Sequence, residues 1–145
     1  MKTFANPYAA LISAQRPPDF AVYKSQIFGT VGLLTLGLAL VLVLVYYYVF
    51  NTPPTLLGRA WHRTGQWALT LALAAGTAAW LAYSFANSVP LEGGGRGVEH
   101  TQYLGYFLVV NALLAAGWFL VLSLLLKFRS PQARTTPVAW PRFSR

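Results

Sequence analysis

The chain has 145 residues, 56% of them hydrophobic and only 10% charged. Soluble domains carry about 25% charged residues, so composition excludes an ordinary water-soluble domain. Eleven basic and three acidic side chains give a net charge of +8, and the absence of cysteine rules out disulfides and thiolate chemistry.

The first segment, residues 1–25, reads as an N-terminal arm. Asn6-Pro7 has the form of a helix cap followed by proline at the first helical position. A short interfacial helix from about Pro7 to Gln15 is expected, with Leu11 and Ile12 on a surface. Arg16-Pro17-Pro18 stops it, because proline lacks the N–H a helix needs.

Three long stretches follow, at residues 26–50, 65–86 and 103–126, and none holds a charged side chain. Each reaches roughly 33 to 38 Å at 1.5 Å per residue, enough to cross a hydrocarbon core about 30 Å thick. A charge at the centre of a spanning helix costs about 2.5–3.5 kcal/mol, which explains why every charge lies outside these stretches. A soluble three-helix bundle would need polar outer faces, and LTLGLALVLVLVYYYVF has none to offer. The first stretch is too long and starts too late for a cleaved leader peptide. The fold expected is an all-α integral membrane protein with three transmembrane helices.

Between the spans lie residues 51–64 and 87–102. Pro53-Pro54 breaks the first span, and Thr55 is placed to cap the approach to the second. The second connection, LEGGGRGVEH, reads as a flexible turn. It lacks the lysine and following hydroxyl of a phosphate-binding loop. Residues 127–145 form a basic tail broken by prolines. Such a tail attracts anionic lipid at about 1 kcal/mol per basic residue.

Basic residues set the expected orientation. The arm and second connection hold Lys2, Arg16, Lys24 and Arg96, with all three acids. The first connection and the tail hold Arg59, Arg63, Lys127, Arg129, Arg134, Arg142 and Arg145, with no acid. Seven against four favours the second side as cytoplasmic. The N-terminus is then outside and the C-terminus inside, in a bacterial inner or plasma membrane.

Aromatic residues prefer the membrane–water boundary. Tyr46, Tyr47, Tyr48, Trp61, Trp67, Tyr103 and Trp140 are therefore expected anchors. In an α-helix three consecutive residues fan out by about 100° each, so the triple tyrosine is not expected to line one pocket.

No ionisable residue lies inside a span, so a proton relay, a Schiff-base lysine and a gating arginine are missing. Asn111 is the one strongly polar side chain at depth, and an amide in lipid usually bonds another helix. His62 and His100 sit at opposite ends and cannot share one metal. Both are read as solvated boundary residues; contact with a cofactor held by a partner stays open. Catalytic and metal sites are not expected, and no cofactor is expected in the chain itself beyond lipid.

Small residues let spanning helices approach closely. Ala68, Ala72 and Gly76 stand four apart in the second span, and Ala112, Ala115 and Ala116 accompany Asn111 in the third. These seven residues are the expected helix-packing set, with the second span covered on several sides. The central LALVLVLV of the first span is expected to face lipid or a bulky groove.

The functional expectation is a non-catalytic accessory subunit that scaffolds or anchors a multi-subunit membrane complex, respiratory, photosynthetic or of a secretion or injection machine. Its partners are then lipid and other membrane subunits, with no nucleic acid. The alternative is a small channel or carrier formed by homo-oligomerisation around Asn111 and the small-residue faces.

Overall fold

The computed structural model describes residues 8, 10–12, 20–50, 64–88 and 98–127. Three long helices dominate it. Helix α1 spans Phe20–Phe50, α2 Thr64–Ser88 and α3 Val98–Leu126. All three are long and apolar enough to cross a membrane, and no strand occurs among the described residues. The helices α1 and α3 extend beyond the apolar stretches, starting before Gln26 and before Tyr103 respectively.

The chain runs up, down and up. Ala82 and Ala86 of α2 share a cluster with Tyr23 and Ile27 of α1 and Tyr103 of α3. Trp67 and Ala74, near the start of α2, join Val43 and Tyr47 of α1 and Phe119 of α3. So α1 and α3 are parallel and α2 is antiparallel to both. Helix α3 packs along each of the others, while α1 and α2 touch one another less.

One spacing runs through the interior of all three helices. Buried residues of α3 recur every four positions: Tyr103, Phe107, Asn111, Ala115, Phe119, Ser123 and then Lys127 just past the helix. In α2 the row is Thr70, Ala74, Ala78, Ala82 and Ala86; in α1 it is Tyr23, Ile27, Val31, Thr35, Ala39, Val43 and Tyr47. Four α-helical residues overshoot a full turn by about 40°. A row with this period therefore winds around its helix in the right-handed sense. Such rows are the ridges that mesh in right-handed crossings, at about −40° to −50°.

Over the 31 residues of α1 that winding would carry the row away from its neighbours. Two wide turns correct it. Tyr23–Ile27 and Val45–Phe50 are π-helical, with i→i+5 hydrogen bonds. A wider turn holds more residues, so the same step of four falls back instead of overshooting. The wide turns lie at the two ends of the row and return Tyr23 and Tyr47 to the bundle. They also bring neighbouring residues closer to one face, and Tyr46 and Tyr47 are both fully buried.

The row in α2 lies beside the expected small-residue face. Ala68, Ala72 and Gly76 point outward, whereas Ala74, Ala78, Ala82 and Ala86 make the internal contact. The deciding factor is length: the inner row keeps small residues through position 86, while the outer one meets Trp80. Helix α2 is correspondingly open on its outer side. Of the central stretch of α1, Ala39 and Val43 are buried, and Leu40, Val41 and Leu44 are exposed.

Candidate functional site

The most connected polar group lies midway along α3. Asn111 is fully buried and bonded to three other segments. Its Oδ1 accepts hydrogen bonds from the Tyr8 hydroxyl and from Thr35 Oγ1 at 3.0 Å. Its Nδ2 donates to the Ala78 carbonyl at 2.7 Å. A backbone carbonyl only accepts, so the amide must present nitrogen to Ala78 and oxygen to the two hydroxyls. Asn111, Thr35 and Ala78 all belong to the four-spaced rows, and the node forms where the three rows meet.

The fourth contributor comes from outside the helices. Tyr8 is buried in the bundle, with its ring stacked on Phe28 at 5.1 Å and 25°. The edge of Phe107 closes a second side, at 5.4 Å and 63°. Ile12 is buried next to it, and the Ile12 N–H donates to the Tyr8 carbonyl at 3.0 Å, closing one helical turn. Leu11 between them is 56% exposed. The short helix expected at a membrane surface thus puts one ring inside the bundle. Burial pushes the Tyr8 hydroxyl up to about 12, against a smaller lowering pull from Thr35. The phenol is protonated and donates.

Rings extend from this slot to the near end of the bundle. Phe107 and Phe28 lie 5.3 Å apart, and Tyr23 meets Tyr103 edge-on at 5.3 Å. His100 is buried here, with Nδ1 3.5 Å from the Tyr23 hydroxyl. It is packed among tyrosines, not solvated as the sequence suggested.

The far end has its own polar links. Trp67 Nε1 donates to Ser123 Oγ at 3.1 Å. The Tyr48 hydroxyl donates to the Leu126 carbonyl at 3.0 Å, covering a helix-end acceptor that has no partner within α3. Phe119 packs on Trp67 at 5.7 Å.

The expected anchors therefore divide. Tyr46, Tyr47, Trp67 and Tyr103 face inward, and Tyr48 is half-buried. Among the described residues Trp80, Tyr83, Tyr106 and Trp118 are the outward-facing rings, Trp80 being 64% exposed. Trp61, Trp140 and His62 lie outside the described residues, as do the Asn6-Pro7 cap, the proline stop, the Thr55 cap, most of the glycine-rich connection and the basic tail beyond Lys127. Ala115 is buried on the inner row, with Ala112 and Ala116 half-buried beside it. On the outer side of α2, Leu69, Ala72, Leu73, Gly76, Thr77 and Trp80 line an open groove of about 410 Å3.

The node consists of neutral groups. An amide, two hydroxyls and a carbonyl can hold geometry, but none is a general acid or base near neutral pH. Among the described residues, no group of three His, Cys, Asp or Glu is placed to hold a metal ion. Sequence reasoning found Asn111 and missed all three of its partners. Thr35 carried a signal, as a polar residue four-spaced between Val31 and Ala39; Tyr8 carried none, because its partner is 103 residues away.

No family model, no curated protein and no solved structure matches this chain.

Proposed function

We propose that this chain is a non-catalytic, multi-pass membrane subunit that anchors or braces a larger membrane complex. Its N-terminus lies outside and its C-terminus in the cytoplasm of a bacterial inner membrane. The observation that carries the reading is Asn111. The strongest polar group within the spans is consumed in bonds to Tyr8, Thr35 and Ala78. The outer faces along the middle of the spans are largely apolar, including the Ala72–Gly76 groove of α2, where Thr77 is the polar lining residue. Such a molecule has internal adhesion and an external surface, but no chemistry of its own at depth.

The basic tail holds the cytoplasmic face against anionic lipid. The partners are lipid and unlike membrane subunits of a respiratory, photosynthetic or secretion assembly. A homo-oligomeric channel or carrier is the second reading. It needs Asn111 at an oligomer axis, and the enclosure of Asn111 inside one chain weighs against it.

Native mass spectrometry after mild detergent extraction tests the proposal. Fixed-stoichiometry complexes with larger, unlike subunits are expected. A pure homo-oligomer that conducts ions in liposomes would sink it. For orientation, Gly94→Cys should react with an impermeant maleimide from outside intact cells. Reaction only after the membrane is opened reverses the topology.

A further inference from the structure

The Tyr8 ring is held as a ligand is held. Its two sides are closed by Phe28 and Phe107, stacked and edge-on. Its hydroxyl reaches a polar floor made of Asn111 Oδ1, which also accepts from Thr35. Apolar walls with a few convergent polar groups are the ordinary make-up of a small-molecule site. The ring belongs to no span. Among the described residues of the arm, it is backed by buried Ile12 and one backbone hydrogen bond, next to exposed Leu11.

We propose that this slot is a binding site for a hydroxylated aromatic ring, the head of a lipid-soluble phenol, and that the arm occupies it in competition with that ligand. A para-substituted phenol carries every feature the slot recognises: a flat ring for Phe28 and Phe107, and a hydroxyl for Asn111. Its substituent leaves along the line where the Tyr8 Cβ now leaves. Binding of such a ring expels Tyr8 and frees the arm, so occupancy inside the bundle is reported at its surface. Because the arm fills the slot, apparent affinity falls by the fraction of molecules in which the slot is open. This goes beyond the bracing role and does not depend on it.

The test uses the full chain with 4-methylphenol as the probe and toluene, which lacks the hydroxyl, as its control. The protein has no native cysteine, so Ile12→Cys reports arm release through its labelling rate with a maleimide. Leu11→Cys, already exposed, controls for the reagent. 4-Methylphenol should accelerate labelling at position 12 several-fold and leave position 11 unchanged. It should act at about one-tenth the toluene concentration, the worth of one buried hydrogen bond. In Tyr8→Gly, where the slot is vacated, 4-methylphenol should raise the thermal midpoint more than toluene does. Equal potency of the two probes overturns the proposal, since the polar floor then recognises nothing. So does stabilisation of Tyr8→Gly without any acceleration at position 12, which means the arm does not yield. Should Tyr8→Gly fail to fold, labelling at position 12 decides alone, and no acceleration there refutes the competition.

Discussion

At the end of the bundle where α3 begins, Phe107 meets Tyr8, Tyr23 and Phe28. One of those rings arrives from outside the spans. At the opposite end Phe119 meets Trp67, whose indole bonds Ser123, and Tyr48 reaches the last turn of α3. Among the described residues, every contributor there belongs to a long helix. Both ends adjoin a wide turn of α1, and both bury aromatic rings, but among the described residues only one borrows a wall. An end closed by the helices themselves is as durable as their packing. An end closed by a separate arm opens whenever that arm leaves, and regions of low local stability open before the whole.

Substitutions can break this contrast, and the largest effect is expected from the rings. Phe→Ala in a packed interior costs about 3–5 kcal/mol. Phe107→Ala should fall at the upper end of that range and Phe119→Ala at the lower, read as thermal midpoints by circular dichroism in detergent. Equal losses would mean that the arm contributes nothing at the Tyr8 end. Asn111→Leu comes next, at about 2–4 kcal/mol, because it strands the Tyr8 and Thr35 hydroxyls and removes the second hydrogen bond to the Ala78 carbonyl.

Two neighbouring positions of α2 then separate inside from outside. Ala78→Leu overpacks the inner row and should cost about 1–3 kcal/mol. At Gly76 an added Cβ meets nothing within 4 Å. Gly76→Leu should therefore leave the isolated chain unchanged, yet deplete unlike subunits from native mass spectra. The smallest pair is Tyr8→Phe and Trp67→Phe, each removing one hydrogen-bond donor worth about 1 kcal/mol. Tyr8→Phe should raise maleimide labelling of Ile12→Cys, whereas Trp67→Phe should not. Equal labelling would erase the distinction between the ends.

How far the residues announced this arrangement varies with the scale of the feature. Long uncharged stretches identify three helices, because water and lipid impose opposite demands over 20 residues or more. The inner faces were partly legible. Thr35, Thr70, Asn111 and Ser123 stand on the four-spaced rows, as polar groups in lipid must find partners. Weighing them together selects Ala74–Ala78–Ala82 over Ala68–Ala72–Gly76. Taking alanine and glycine spacing alone selects the outer face. The inward turn of Tyr46 and Tyr47 was not legible, because the fan of 100° per residue assumes an unbroken α-helix. A π-turn changes that angle and has no compositional mark in VYYYVF. Tyr8 was hidden for another reason: a tyrosine in an arm has the same local context whether it lies on a lipid surface or inside a bundle.

The bond from Tyr8 to Asn111 also dictates an order of events during synthesis. The two residues are 103 positions apart, so the ribosome delivers Tyr8 long before its acceptor exists. Through the insertion of α1 and α2 the arm has no amide to bind, and its slot lacks the Phe107 wall. The earliest part made is therefore the latest part placed. A chain truncated at residue 97 should leave Ile12→Cys freely reactive, and extension through α3 should protect it. The arm thereby acts as a seal on completed assembly, closing only on a molecule whose third helix has arrived.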